Sequence, residues 1–153
     1  MKTVKSKIKK EENFGVAVLV LHPENNKILL GERQNNYRAG FFGLPGGRVN
    51  FDEPLEKAAI RELLEETNLN SNRFSYLGVI REQQEGYTFI HFGYVIKNFS
   101  GNLQNMEPEK CKEWKWFKLT NLPLKLLPGH KALIDIFTNS EAGSVRDIFP
   151  LNL

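Results

Sequence analysis

Residues 44–69 read LPGGRVNFDEPLEKAAIRELLEETNL. A glycine pair lies near the start of this stretch, and its apolar residues recur at helical spacing, which predicts a helix with one buried stripe. The expected stripe residues are Leu55, Ala58, Ala59, Leu63 and Leu64. Pro54 suits the first turn of such a helix, and Asn68 suits its end, because asparagine tolerates the left-handed backbone of a terminating turn. The stretch therefore predicts a loop, a helix and a second loop.

Three glutamates of the stretch form an acidic face. Glu65 and Glu66 follow Glu62 by three and four positions, so a helix brings their Cβ atoms within about 5–6 Å of that of Glu62. Carboxylates this close repel one another, which raises their proton affinity. A divalent cation relieves the repulsion, and Mg²⁺ or Mn²⁺ prefers oxygen ligands and commonly bridges to substrate phosphates. The face therefore predicts a cation site for a phosphorylated substrate.

The glycine pair fits the same site. Gly46 and Gly47 let the backbone approach a cation or a phosphate without a Cβ in the way. The carbonyl of Gly46 is therefore a candidate metal ligand, and Gly47 is a candidate substrate contact. The loop that enters the helix also turns backbone N–H groups toward an anion. The favoured chemistry is attack of a cation-activated water on phosphorus, with a nearby glutamate accepting the proton.

The spacing of these residues resembles the signature of the Nudix hydrolases. That signature is Gly, five residues, Glu, seven residues and then Arg-Glu-apolar-any-Glu-Glu-any-Gly-apolar. The matching positions here are Gly47, Glu53, Arg61, Glu62, Leu63, Glu65, Glu66, Asn68 and Leu69. Only Asn68 departs from the signature, in place of a glycine, and asparagine tolerates the same left-handed backbone. Weaker similarity covers residues 14–123.

The resemblance implies an α+β protein with the Nudix fold, an α/β/α sandwich with a central mixed β-sheet and a catalytic loop-helix-loop motif. It implies cleavage of a nucleoside diphosphate linked to another group, with Mg²⁺ or Mn²⁺ as the cofactor. By matching position, Glu62 and Glu66 are expected to bind the metal, and Glu65 to bind it or to orient water. Arg61 is expected to pair with Glu53 and to brace the loop against the helix.

In this family a further acidic residue, from a loop beyond the signature, often joins the metal site or acts as the base. Glu109 is the first candidate here and Glu107 the second. Their segment, followed by Trp114, is similar to that of the MutT-related, nucleotide-sanitising subgroup. That subgroup cleaves (d)NTPs, including oxidised guanine forms such as 8-oxo-dGTP, to the monophosphate and pyrophosphate. The resemblance therefore implies a (d)NTP pyrophosphohydrolase acting on a small nucleotide.

Three other functions stay open. Residues 45–49, PGGRV, also suit a nucleotide-sugar hydrolase of the GDP-mannose type, although the intact acidic motif favours the standard attack at phosphorus. A non-catalytic Nudix module that senses a nucleotide is the second, but such modules tend to lose signature glutamates, and all four are present here. An RNA-end enzyme is the third, because five lysines lie within residues 2–10. That run lacks the aromatic side chains that stack on bases.

Candidate substrate contacts lie outside the signature. Arg33, at the end of an expected strand, matches a family position that often reaches phosphate. Phe42 and Phe89 are candidates to stack on a base. His91 alternates with apolar residues along an expected strand, which favours a satisfied buried histidine over a catalytic one. His130 shows no pattern.

The rest of the chain predicts strands and connecting loops. Residues 14–21 form an apolar, β-branched run, which predicts a strand buried on both faces. Together with residues 27–31 this run predicts a hairpin over residues 14–33. The other expected elements are strands at 74–82, 87–96 and 114–116, a helix at 131–137, and loops at 34–43 and 98–110. Residues 140–153 are ambiguous.

Length and composition predict one domain over residues 1–153. The 153 residues are 41% hydrophobic and 25% charged, which is ordinary for a globular chain with net charge +3. No apolar run approaches the ~18 residues of a membrane span, and the start lacks an export signal. Cys111 alone forms no internal disulfide, which favours the cytoplasm. Residues 1–12 are expected to be a flexible basic segment, membrane and nucleic-acid partners are not expected, and a homodimer is consistent with the family resemblance.

Overall fold

The structure, a computed structural model, describes residues 11–35, 38–84 and 86–149. Its elements are β1 (Glu11–Val20), β2 (Lys27–Arg33), β3 (Phe42–Gly43), β4 (Gly46–Arg48), α1 (Leu55–Thr67), β5 (Ser75–Gln84), β6 (Tyr87–Ile96), β7 (Cys111–Lys118), α2 (Pro128–Thr138) and β8 (Ser144–Ile148). The lysines of the expected basic segment lie outside the described residues, and residues 11 and 12 already belong to β1. Neither of the two helices within these ranges is long and apolar enough to cross a lipid bilayer.

The strands form two sheets. The central sheet has the order β4-β1-β6-β5-β8 and is mixed, because β1 runs parallel to β6 but antiparallel to β4, and β5 runs parallel to β8 but antiparallel to β6. The smaller sheet, β3-β2-β7, is antiparallel. Helix α1 packs on β1 and β4, and helix α2 packs on β5.

Strand β1 shows why both faces of the central sheet are covered. Successive side chains of a strand point to opposite faces. Val16 and Val18 therefore pack in the cluster that contains α1 residues, and Ala17 and Leu19 pack in the cluster that contains α2 residues. All four side chains are buried. The predicted α/β/α sandwich, and a first strand buried on both faces, are confirmed.

The predicted hairpin over residues 14–33 is wrong. Strand β1 has β6 along one edge and β4 along the other, so its ladder positions are occupied. Strand β2 instead pairs with β3 and β7 in the second sheet. The two strands meet only next to the turn that joins them, where Leu21 forms a bridge with Ile28. The later strands β5 and β6 do form an antiparallel pair around Gly86, as predicted.

Helix α1 ends as the sequence predicts. Asn68 takes a left-handed conformation with φ 64°, and its backbone N–H donates to the carbonyl of Leu64. Its side-chain Nδ2 also donates to the carbonyl of Asn102 at 3.0 Å, which ties the end of the helix to the 98–110 loop. The buried stripe differs in one place, because Leu64 is 43% exposed and Thr67 is buried instead. The Thr67 hydroxyl is satisfied by donating to the carbonyl of Leu63 at 2.6 Å.

Two elements at the end of the chain extend beyond the prediction. Helix α2 begins at Pro128, three residues before the predicted start at Lys131. Proline is well placed there because the first turn of a helix has no partner for its N–H groups. Residues 144–148, left ambiguous by the sequence, form the edge strand β8 beside β5.

The left-handed end of α1 gives a stability prediction. Asn68→Ala and Asn68→Gly both remove the side-chain hydrogen bond to the carbonyl of Asn102. They differ in the backbone, because alanine is strained at φ 64° whereas glycine adopts this conformation freely. We expect the alanine variant to be less stable than the glycine variant by about 1 kcal/mol in urea unfolding. Equal unfolding midpoints would show that the backbone conformation at this position carries no cost.

Candidate active site

A cleft of about 670 Å³ runs from α1 and β4 to the start of α2. One end of the cleft is lined by carboxylates from α1 and from the loop before β7. These residues are Glu62, Glu65, Glu66 and Glu107. The backbone of Gly46 and Gly47, on β4, lies at the same end. We call this group of six residues the acidic end of the cleft.

Arg61 joins the loop to the helix at the acidic end. Its Nε donates to Oε2 of Glu53 at 2.7 Å, and its Nη2 donates to Oε1 of Glu53 at 2.9 Å. Nη2 also donates to the carbonyl of Arg48 at 2.9 Å. The hydrogen bonds from Arg61, together with one from the backbone of Asn50, lower the pKa of Glu53, although burial opposes the shift. The hydrogen bonds to Glu53 in turn raise the pKa of Arg61. The expected Arg61–Glu53 pair therefore forms and fixes the 48–53 loop on α1.

The same guanidinium contacts two signature glutamates. Nη1 of Arg61 donates to Glu62 at 2.9 Å and to Glu65 at 3.1 Å. The Glu65 side chain stays about half exposed, whereas that of Glu62 is 13% exposed. Arg61 thereby offsets repulsion along the outer part of the acidic face.

Glu66 lies on the inner part of the face. Burial raises the pKa of Glu66 well above its usual range, and repulsion from Glu62, a hydrogen bond with the Glu62 carboxyl and the charge of Glu107 add to the shift. A hydrogen bond from the backbone of Gly46 opposes it. The predicted mutual repulsion of the cluster therefore falls mainly on one buried carboxyl.

Gly47 is required by this arrangement. A Cβ at residue 47 would lie 2.5 Å from the carboxyl carbon of Glu62, so the Glu62 carboxylate would have to move. The strand β4 therefore passes directly over the carboxylates of α1. An alanine at this position would displace the Glu62 carboxylate from its present place.

The donor set suits a hard divalent cation. Its groups are carboxylate and backbone carbonyl oxygens, which Mg²⁺ and Mn²⁺ prefer. Within residues 11–35, 38–84 and 86–149, no three His, Cys, Asp or Glu side chains are already arranged around a common metal position. In this arrangement Arg61 donates to both Glu62 and Glu65.

The carboxylate that the loop before β7 brings to the acidic end is Glu107, not Glu109. Glu107 lines the cleft and acts electrostatically on Glu66, whereas Glu109 is exposed and is absent from the cleft lining. Residues 107–110 form a turn, closed by the N–H of Lys110 donating to the carbonyl of Glu107 at 2.9 Å. The turn carries its first side chain toward α1 and its third toward solvent. The order of preference predicted from the sequence is therefore reversed.

Two of the three predicted substrate contacts outside the signature reach the cleft. Arg33 and Phe89 line it. Phe42 does not, because its ring packs edge-on against Phe117, with 5.3 Å between centroids, and joins the core under α2. The sequence pattern could not separate a core phenylalanine from one that faces the cleft.

Comparison with known proteins decides the family. A family model described as the NUDIX domain matches residues 13–137. The chain belongs to the Nudix family. It is 35% identical over 145 residues to an ADP-ribose pyrophosphatase of Methanocaldococcus jannaschii, covering 87% of this chain and 83% of that one. It is 32% identical over 110 residues to an oxidized purine nucleoside triphosphate hydrolase of Danio rerio, covering 69% of this chain and 66% of that one.

A solved structure agrees with the family assignment. A MutT NUDIX hydrolase from Burkholderia pseudomallei superposes with a TM-score of 0.77 at 29% identity, covering 82% of this chain and 98% of that chain. The predicted class, a MutT-like Nudix pyrophosphohydrolase, is confirmed. Hydrolases of this family generally use divalent metals, which agrees with the oxygen ligands at the acidic end.

The other end of this Nudix cleft holds residues that the sequence did not single out for function. They are Glu82 on β5, His91 on β6 and His130 on α2. Nε2 of His91 lies 3.5 Å from Oε1 of Glu82, and the rings of His91 and His130 meet edge-on with 5.3 Å between centroids. His91 is buried as predicted, at 9% exposed, but the expectation that it is satisfied is wrong, because its Nε2 has no hydrogen-bond partner among the described residues. No local spacing links positions 82, 91 and 130, so only the fold reveals the group.

The environment of His130 gives a pH prediction. Burial, reinforced by His91, lowers the pKa of His130 from 6.5 to about 3, so the folded protein keeps this imidazole neutral while the unfolded chain protonates it below pH 6.5. Because the unfolded state then binds more protons, stability falls as the pH falls through 6.5. His130→Asn removes the titration and keeps an acceptor for the N–H of Leu44.

Urea unfolding at pH 8 and pH 5 checks this prediction. Between pH 8 and pH 5 we expect the free energy of unfolding of the wild type to fall by up to about 2 kcal/mol more than that of His130→Asn. This is the free energy by which protonation of one histidine in the unfolded chain alone favours unfolding over that pH range. Glu82 and Glu66 are present in both proteins, so their own pH dependence largely cancels in the difference. Parallel stability curves would contradict the lowered pKa of His130.

Proposed function

We propose that this enzyme hydrolyses nucleoside triphosphates, (d)NTPs including 8-oxo-dGTP, to the monophosphate and pyrophosphate with Mg²⁺ as cofactor and Mn²⁺ as a substitute. The observation that carries the proposal is the partly buried Glu66 carboxyl, whose pKa is raised and which is crowded by Glu62 and Glu107 beneath the backbone of Gly46 and Gly47. A buried carboxyl with a raised pKa is costly unless a cation or a proton compensates it. The name of the Danio rerio relative supports the substrate class.

Specific residues would hold the cation. Glu62, Glu66 and the carbonyl of Gly46 are the proposed ligands, with Glu65 and Glu107 completing the set or holding the water. When bound, the cation activates water and offsets charge on the leaving pyrophosphate.

The chain's own groups would do the remaining work. Arg61 keeps Glu53 and the 48–53 loop fixed, so that the backbone of Gly47 stays beside the carboxylates. Glu107 or Glu65 accepts the proton of the attacking water. Arg33 and Lys110, both on the cleft lining, provide positive charge for the phosphates, and Phe89 provides a face for the base.

A second candidate substrate is ADP-ribose. The relative from Methanocaldococcus jannaschii, named an ADP-ribose pyrophosphatase, matches more of this chain than the Danio rerio relative does. Both substrates contain a phosphoanhydride, so the acidic end would treat them alike. The difference lies in the products, since ADP-ribose yields AMP and ribose 5-phosphate.

A substrate panel tests the proposal. The purified protein is incubated with dGTP, 8-oxo-dGTP, dCTP, ADP-ribose and GDP-mannose, each with Mg²⁺, Mn²⁺ or a chelator, and the products are identified by mass spectrometry. We expect monophosphate and pyrophosphate from the triphosphates, and no product with the chelator. Cleavage of ADP-ribose or GDP-mannose without cleavage of any triphosphate would overturn the proposal. Glu66→Gln should lower turnover at least ~100-fold. Because a contaminating hydrolase would be unaffected by this substitution, such a loss shows that the activity belongs to this protein.

A matched pair of variants tests which loop carboxylate acts. Glu107→Gln should lower turnover at least ~10-fold, because it removes the charge that faces Glu66, whereas Glu109→Gln on the exposed side of the same turn should stay within about threefold of wild type. Both changes are isosteric and lie two residues apart, so each controls for the other. The reverse order of effects would restore Glu109 as the active residue.

A further inference from the structure

The end of the cleft opposite the carboxylates presents a buried acceptor beside a buried donor. Glu82 is 6% exposed and His91 is 9% exposed, yet both line the cleft. Nε2 of His91 is shielded from solvent and, among the residues that the structure describes, has no hydrogen bond of ordinary geometry, only the 3.5 Å contact with Glu82. Polar atoms buried in this way are normally satisfied, so the polar group at this end of the cleft is incompletely satisfied as it stands, and its two neighbours that line the cleft, Glu82 and His130, are the ones to consider as ligand contacts.

The proton on His130 can be assigned from its contacts. Its Nδ1 accepts the N–H of Leu44 at 2.9 Å, so this nitrogen carries no proton. The imidazole is neutral above a pKa of about 3, so the single proton is on Nε2. Nε2–H of His130 is therefore a donor at the cleft wall, and no described residue accepts from it.

Glu82 is the matching acceptor. Burial raises the pKa of Glu82, but the contact with His91 and hydrogen bonds from Gln84 and from the backbone of Gly129 outweigh it and lower the pKa to about 2. The carboxylate is thus ionised and acts only as an acceptor. Two oxygens offer about four acceptor sites. Gln84 and the backbone of Gly129 occupy two of them, and the 3.5 Å contact with His91 is not a hydrogen bond of ordinary geometry, so two sites are left for a ligand. A Cβ at Gly129 would collide with His91 and lie 2.8 Å from Glu82 Oε1, so glycine there keeps the pair in place.

We propose that His130 and Glu82 read the Watson–Crick edge of a guanine-type base. Among the common bases only guanine presents an acceptor, O6, next to two adjacent donors, N1–H and the 2-amino group. His130 donates to O6, and Glu82 accepts from N1–H and the amine, while Phe89 covers the ring. This inference rests on the proposed nucleotide hydrolysis and selects its base: 8-oxoguanine keeps the same edge, whereas the adenine of ADP-ribose does not.

The two ends of the cleft are joined by a short stretch of backbone. Leu44, which bonds to His130, is two residues before Gly46, whose backbone bonds to Glu66. One segment of the chain therefore contacts both the base-reading end and the acidic end.

Paired substrates test the role of Glu82. Deoxyinosine triphosphate differs from dGTP only by the missing 2-amino group. We expect wild-type kcat/KM to favour dGTP by about tenfold or more, the usual effect of one hydrogen bond to a charged group, and Glu82→Gln to reduce that preference to within about threefold. Glu113→Gln, an exposed carboxylate outside the cleft, is the matched control and should leave the preference unchanged. Equal losses on both substrates would overturn the base-reading role.

Paired variants test the role of His130. Asparagine places an oxygen near the position of Nδ1 and removes the Nε2 donor, whereas glutamine places an amide donor near the position of Nε2. His130→Asn should lower kcat/KM for dGTP about tenfold relative to wild type. For 2-aminopurine deoxynucleoside triphosphate, which lacks O6, kcat/KM of this variant should stay within about threefold of wild type. His130→Gln should retain more of the dGTP activity than His130→Asn. A uniform loss on both substrates, or the reverse order of the two variants, would overturn the assignment.

Binding separates this inference from the proposed hydrolysis. Calorimetry with α,β-methylene dGTP and its deoxyinosine counterpart reports base reading without turnover. The inference is supported if the wild type binds the guanine analogue about tenfold more tightly than the deoxyinosine analogue and Glu82→Gln loses this difference. This result supports the inference even if no triphosphate is cleaved. Equal binding of both analogues to a wild-type protein that does hydrolyse triphosphates overturns the inference and leaves the proposed function standing. Thermal unfolding of each variant confirms that it is folded before these comparisons are made.

Discussion

Repulsion among carboxylates around the guanidinium of Arg61 governs the local structure of the site. Two unit charges about 5 Å apart repel by roughly 3 kcal/mol at the effective dielectric of a protein surface. Arg61 offsets this for Glu62 and Glu65 and, through Glu53 and the carbonyl of Arg48, fastens the loop over the helix. The fixed loop brings β4 so close to the carboxylates that only glycine fits at residue 47. One side chain thus sets the distance between backbone and acidic face.

Glu66 is the part of the cluster for which this compensation is incomplete. It lies on the inner side of the face, where the backbone of Gly46, rather than Arg61, stabilises its charge. An apolar side chain at this position would avoid the desolvation and the repulsion that raise the pKa of Glu66. The chain therefore tolerates a stability cost at one position of α1, next to a cleft, which is the pattern expected where a residue serves chemistry rather than folding.

Features set by neighbouring residues in the sequence were predictable. The helix and its end at Asn68 follow from residue spacing and from the left-handed tolerance of asparagine, and the Arg61–Glu53 pair was implied by the family resemblance. Features set by distant segments were not. Strand periodicity indicated β1 and β2 but could not reveal that β6 and β4 occupy both edges of β1. The choice of Glu107 over Glu109 depends on how one turn is oriented, and the burial of Phe42 depends on a partner 75 positions away.

The two ends of the cleft differ in what a mutation there could change. Five of the six residues of the acidic end lie in one continuous segment, residues 46–66, and Glu107 comes from the loop before β7. The opposite end joins three separate segments, and Glu82 is held by the backbone of Gly129 at the start of α2. A change at that helix start would alter the groups that line this end of the cleft while leaving Arg61 and Glu66 untouched. Under the proposed base-reading role, such a change would alter the substrate without altering the chemistry.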